Sequence, residues 1–135
     1  MATRTLLQKL GIKPHFSCVF INAPGNYFEL LEEELPKEVE SYNFLPNSPS
    51  DFIHLFTNSI DELESLLPIL QNYIVQNGMI WVSWYKKSSK LPSELTEDII
   101  RDTALNLKLV DIKVCSVSDK WSALKLVIRK DLRSR

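Results

Sequence analysis

The sequence predicts one α/β domain of three layers, with helices on both faces of a mainly parallel six-stranded sheet that ends in an antiparallel hairpin. Three observations carry this. The runs at residues 16–21, 51–57 and 79–84 are apolar on nearly every position, the pattern of strands covered on both faces. Between these runs lie segments of helical periodicity opened by capping residues, and strand alternating with helix builds parallel sheets. Near the end of the chain, two strand-like segments are separated only by a turn, which makes them a hairpin.

Taken in order, the chain opens with a short helix at residues 3–10, with Thr3 or Thr5 as N-cap and Gly11 just past its end. Leu6, Leu7 and Leu10 mark its buried side. After the first strand comes the loop Asn22-Ala23-Pro24-Gly25-Asn26, where Asn26 and Glu29 have the spacing of a capping box. Tyr27, Leu30, Leu31 and Leu35 continue at helical spacing until Pro36, and Glu32, Glu33 and Glu34 read as the solvated face. Residues 39–44 form a second, shorter strand. Residues 43–50, fully extended, reach about 26 Å at roughly 3.3 Å each, just enough to return past a parallel neighbour without a helix.

The strand at 51–57 is followed by a capping box of Ser59 and Glu62. A helix through Ile60, Leu63, Leu66, Leu67, Leu70, Tyr73 and Ile74 then runs to Asn77-Gly78, kinked or divided at Pro68. Past the third apolar strand, a helix starts at Thr96 with Glu97 and Asp98 in its first turn, where the dipole favours them. Leu95, Ile99, Ile100, Ala104 and Leu107 make its apolar stripe, and Asn106 is expected to close it in a left-handed conformation. Val110, Ile112 and Val114 alternate with Asp111, Lys113 and Cys115, the period of a strand near an edge with one wetter face. The last strand is expected at residues 121–129.

A length of 135 residues fits a single domain at 1–135, and 44% apolar with 24% charged residues is the composition of a soluble globular protein. With 16 basic and 17 acidic residues there is no global charge to attract nucleic acid, and none is expected as a partner. The longest apolar runs are too short to span a bilayer, and Gln8 and Lys9 interrupt any signal-peptide core. Cys18 and Cys115 belong to no metal-spaced pair. They read as buried reduced thiols in a cytoplasmic protein.

Several stretches carry a family resemblance. D-F-I-H-L-F ahead of a capped helix, N-G-M-I-W-V-S ahead of a loop, L-T-E-D-I-I-R-D-T-A-L-N-L-K-L-V-D-I-K-V, and the closing L-K-L-V-I-R-K resemble the C-terminal half of class I S-adenosylmethionine-dependent methyltransferases. K-L-G-I-K-P, N-A-P-G, W-Y-K-K-S-S with L-T-E-D, and D-K-W-S-A-L-K look more closely like a small family of uncharacterised bacterial proteins with a truncated form of that Rossmann-like fold. The resemblance implies the strand order 2-1-3-4-6-5. It also implies a cofactor, from which the chain departs. Where the methyltransferases have an acidic residue and several glycines, this chain has Asn22-Ala23-Pro24-Gly25-Asn26-Tyr27. No acidic residue ends the second strand, and the helix–strand unit expected after it is missing.

In an open α/β sheet, ligands bind beyond the C-terminal ends of the strands. Lys86, Lys87, Ser88 and Ser89 lie there, and with Ser93, Thr96 and the following helix N-terminus they are candidates to hold a small anion. The competing reading is a polar loop with solvated lysines. Trp84, at the same end, either stacks on a planar ligand or packs in the core, and Trp81 is expected to be core. Asn22, Gly25, Asn26 and Tyr27 form a candidate rim, joined by Thr57 and Asn58 from the neighbouring strand. Trp121 is a cover for the hairpin turn or a partner contact. His54, in a buried strand with no ligand-spaced neighbour, reads as a satisfied core histidine. No catalytic motif appears, and the basic tail of Arg129, Lys130, Arg133 and Arg135 is interrupted by Asp131.

The leading expectation is therefore a non-catalytic degenerate Rossmann-like domain without a cofactor, binding a small anion or a protein partner. The alternative is a methyltransferase with a remodelled S-adenosylmethionine site formed by Asn22, Gly25, Asn26, Thr57 and Trp84.

Overall fold

Each apolar run becomes a strand because both of its faces find cover. In the computed structural model, which describes residues 4–133, the elements are α1 (Leu6–Leu10), β1 (Ser17–Ile21), α2 (Tyr27–Leu30), β2 (Glu40–Tyr42), β3 (Ser50–Phe56), α3 (Ile60–Leu70), β4 (Ile74–Tyr85), α4 (Glu97–Leu105), β5 (Leu109–Ser116) and β6 (Trp121–Ile128). Thr3, the other expected N-cap of the first helix, and Arg135 of the basic tail lie outside the described residues.

The six strands form one sheet in the order β2-β1-β3-β4-β6-β5. β2, β1, β3 and β4 run parallel, while β6 is antiparallel to both β4 and β5. The order matches the one the family resemblance implies. β2 and β3 flank β1 with no helix between them in the chain, so residues 43–49 alone make the return. Successive side chains alternate between two cores. Val19, Ile53, Leu55, Ile80, Val82, Leu124 and Leu126 pack under α3 and α4. Cys18, Phe20, Phe52, Phe56, Trp81 and Ala123 face the other way, under α1 and α2.

The helix starts are set by local chemistry. Thr5 and Gln8 form a reciprocal capping box on α1, and Gly11 closes it at φ 84°, a left-handed position that suits glycine. Ser59 and Thr96 accept hydrogen bonds from the backbone N–H groups of Glu62 and Ile99 at the starts of α3 and α4.

Several expectations are corrected. The Asn26 side chain makes no capping bond, and α2 is a single turn that ends before the glutamates, with Glu32 at φ 66°. Three adjacent carboxylates at a helix C-terminus repel one another and oppose the dipole, so the turn does not propagate. α3 is one helix. It closes two residues after Pro68, which has no N–H to donate to the turn before it, and Ile74 already belongs to β4, paired with Ser50. Asn106 is right-handed, at φ −78°. β5 is indeed an edge strand, but its apolar residues are not its covered face: Ile112 lies at an irregularity between the Asp111–Leu126 and Lys113–Lys125 pairs, and Ile112 and Val114 are about half exposed. Cys18 and Cys115 are not bonded to each other; Cys18 is buried as expected, whereas Cys115 is only half-buried. No helix among the described residues is long and apolar enough to cross a membrane.

Candidate functional site

Because β1, β3 and β4 run in parallel, their C-terminal ends gather at one edge of the molecule. A crevice of about 820 Å³ opens there. Asn22, Pro24 and Asn26 from the loop after β1 form one side, and Phe56, Thr57 and Asn58 from the end of β3 form the floor. Tyr85 at the end of β4 and Trp121 at the start of β6 form the other side, with Glu62, Asp119 and Lys120 at the margin.

Trp121 is the wall that sequence reasoning did not assign to this site. A strand antiparallel to β4 begins where β4 ends, so Tyr85 and Trp121 are register partners. Their rings lie 4.3 Å apart, and Trp121 meets Phe56 edge-on at 4.9 Å. The hairpin alone does not give this: only when the last strand is set antiparallel beside the third core strand does its first residue arrive at the ligand end.

A second hollow of about 600 Å³ lies on the far side of the 22–26 loop, between the ends of β1 and β2. Asn22, Pro24, Gly25 and Tyr27 line it together with Phe20, Phe28, Ser41, Tyr42, Asn43 and Phe44. Phe28 and Phe44 are more than half exposed, so the hollow has accessible aromatic sides. An added Cβ at Gly25 meets nothing within 4 Å, and its φ lies outside the left-handed region. Neither turn geometry nor packing requires a glycine there, and the residue lines the hollow.

Many of the polar groups at this end are already engaged. Asn58 Oδ1 accepts from the Tyr85 amide at 2.7 Å, and Thr57 Oγ1 from the Ser59 amide at 3.3 Å. Asn22, at φ 58°, donates to Glu62 Oε1 at 3.4 Å. Asn26 makes no side-chain bond to α2 and is exposed at the rim.

Beneath the loop lies a buried polar chain. Tyr27 is 2% exposed, and its hydroxyl is 2.9 Å from His54 Nδ1. His54 Nε2 is 2.7 Å from Ser83 Oγ, and the ring stacks on Phe56 at 4.3 Å. Burial without a carboxylate partner pushes the His54 pKa down to about 3, so the ring is neutral at ordinary pH. Burial likewise holds the Tyr27 hydroxyl protonated. His54 is the satisfied core histidine the sequence suggested. Tyr27 is the floor of the second hollow rather than a free rim group.

The basic-loop candidates fall in a third place. Trp84, Lys86, Lys87 and Ser88 line a hollow with Leu95, Thr96, Glu97, Asp98 and Ser122. Trp84 is 8% exposed and belongs to the core under α4, so it is not a free stacking surface. Lys86 Nζ donates to Ser116 Oγ, and the Ser93 and Thr96 hydroxyls already accept from Leu95 and Ile99. Glu97 and Asp98 put negative charge beside the two lysines. The structure thus brings Asn22, Asn26, Thr57 and Asn58 together, places Gly25 and Tyr27 behind them, and sets the lysine loop apart. Among the described residues, no group of three or more His, Cys, Asp or Glu side chains is placed to hold a metal ion.

No protein-family model matches the chain, and no curated protein matches it in sequence. Solved structures match it in fold. A putative type 11 methyltransferase from Sulfolobus solfataricus superposes with a TM-score of 0.59 at 15% identity, covering 88% of each chain. The N-methyltransferase NodS from Bradyrhizobium japonicum gives 0.61 at 8% identity, over 92% of this chain and 93% of that one. Magnesium protoporphyrin IX methyltransferase from Synechocystis, solved with bound S-adenosylmethionine, gives 0.56 at 10% identity, over 92% and 74%. The chain therefore has the Rossmann-like α/β fold of the class I S-adenosylmethionine-dependent methyltransferases.

Proposed function

We propose that this protein is a ligand-binding domain on a methyltransferase frame, taking a small planar ligand of nucleoside type at the C-terminal ends of its parallel strands without transferring a methyl group. The observation that carries this reading is what lies under the loop after β1. A glycine-rich loop admits a cofactor by letting backbone approach it closely. Here a buried tyrosine, tied to His54, underlies a loop with a proline and one glycine. The aromatic sides contributed by Phe28, Tyr42 and Phe44, with Ser41 and Asn43 beside them, suit a flat heterocycle bearing hydrogen-bonding groups. An anion at Lys86 and Lys87 is disfavoured by Glu97 and Asp98 in the same hollow. The unpaired Cys18 and Cys115 are in keeping with the reducing compartment, such as the cytoplasm, that we assign to it.

A second reading, S-adenosylmethionine-dependent methyl transfer, is favoured by the fold neighbours, one of which holds that cofactor. In that reading Asn22, Gly25, Asn26 and Thr57 would hold the cofactor. Thermal melts with adenosine, S-adenosylmethionine and its demethylated product test both, since a ligand of the native state raises apparent stability by mass action. Shifts that vanish in Phe28→Ala and Phe44→Ala, with no loss of the methyl group on incubation with a cell lysate that supplies methyl acceptors, beyond a control lacking the protein, support the binding domain. Shifts accompanied by methyl loss support the enzyme. If millimolar ligand produces no shift in any of the three, both readings fail.

A further inference from the structure

The face of the sheet that carries α1 has a charge arrangement that packing does not explain. Trp81, fully buried, donates from Nε1 to the Leu10 carbonyl at 3.0 Å, which seats residues 9–13 over β4. The register partner of Trp81 on β6 is Lys125, and Lys125 is opposed on β5 by Lys113. The Lys113 ammonium stands 5.9 Å from the centre of the Trp81 ring. Lys9 on α1 and Lys13 after it border the same ground. Among the described residues none of these lysines is in an ion pair, whereas on the α4 face Arg101 holds Glu97, Asp98 and Asp111 together.

Like charges directly opposed on an antiparallel ladder are destabilising. Here the cost is increased by covering one of them: Lys125 is half-buried, and that burial, with Lys113 and Lys13 nearby, holds its pKa below the usual lysine range. A lysine on an edge strand guards against edge-to-edge pairing, which accounts for Lys113 alone. It does not account for Lys125 on the inner strand, nor for Lys9 and Lys13 converging from another element.

We propose that the Lys9, Lys13, Lys113 and Lys125 cluster is a binding site for a multiply charged phosphate anion, separate from the crevice at the strand ends. Lys113 and Lys125 form its centre, with the Trp81 ring beneath and Lys9 and Lys13 on the flank. A run of phosphates relieves the repulsion that the empty site carries. The same phosphate chemistry is offered by a free polyphosphate group and by a nucleic-acid backbone.

Two probes separate these sources, inorganic tripolyphosphate and a short single-stranded oligodeoxynucleotide. Each is titrated against sodium chloride of matched ionic strength, following the melting temperature and the Trp81 indole N–H resonance. At least one probe is expected to raise the melting temperature above the salt control and to shift that resonance saturably, and the one that does so identifies the source. The double variant Lys113→Gln/Lys125→Gln is expected to melt at or above the wild-type temperature without ligand and to lose the response. Lys9→Gln/Lys13→Gln, on a separate element, is expected to weaken binding roughly tenfold, as lost phosphate contacts do. The proposal is overturned if neither probe exceeds the salt control, if both double variants respond like wild type, or if Lys113→Gln/Lys125→Gln melts well below wild type.

Discussion

Lowering the pH should destabilise this protein through one imidazole. His54 is fully buried, both its ring nitrogens are occupied by Tyr27 and Ser83, and aromatic rings surround it. Burial lowers its pKa from 6.5 to about 3, so the folded chain refuses a proton that the unfolded chain accepts anywhere between those values. The contribution is intact above about pH 6.5 and declines as the pH falls towards 3, at about 1.4 kcal/mol per pH unit. From about pH 7.5 to about pH 5, some 1.5 units of that window are crossed, so the loss from this group is about 2 kcal/mol. Urea unfolding of wild type and His54→Gln across that range isolates it. The variant is less stable at neutral pH, because a buried network is broken, but its deficit should shrink by about 2 kcal/mol at the acid end. Every other ionisable group is common to both proteins, so the difference between them isolates this imidazole. A deficit that stays constant with pH, or a His54 ring resonance that titrates near its ordinary value in the folded state, refutes the reasoning.

Further outcomes follow from the same geometry. Tyr27→Phe removes the hydroxyl from His54 Nδ1 and should cost about 1–3 kcal/mol in chemical denaturation, the penalty for a buried group left without its partner. Gly25→Ala should be neutral or stabilising by up to about 1 kcal/mol, since its surroundings are open, yet it should weaken any ligand that reaches the backbone there. Gly78→Ala should cost about 1–3 kcal/mol, because the new Cβ would lie 3.1 Å from the carbonyl oxygens of Asp51 and Val75. Ser59→Ala should lower stability by about 1 kcal/mol through loss of the α3 cap, readable as a shifted denaturation midpoint.

The sheet was legible because its three buried strands are apolar on consecutive positions and their helices begin with capping residues. The family resemblance supplied the strand order that these runs alone leave open. What the sequence misstated were element ends decided by competition. Leu31 and Leu35 keep helical spacing, yet α2 stops, and the Leu31 carbonyl instead accepts from Leu7 of α1. Tyr73 and Ile74 fit the α3 stripe, but the Tyr73 carbonyl accepts from Ser50 and draws the chain into β4. On β5 the alternation did not mark the covered face, because the irregularity at Ile112 is a tertiary fact. For the candidate site, the loop residues after β1 and β3 were visible as polar groups ending apolar strands. Trp121 was not, since its place depends on which neighbour the hairpin chooses. The lysine loop was misplaced for a related reason: strand ends share an edge of the sheet but open onto different sides of it.

The crevice has walls of different origin. One belongs to the parallel strands and is anchored through their helices, while Trp121 is delivered by the short 117–120 connection between β5 and β6. Lengthening or shortening that connection would widen, narrow or re-aim the opening while the rest of the framework keeps its register. Under the proposed binding role, editing this single turn would change what the crevice accepts, and a library confined to those positions tests selectivity directly.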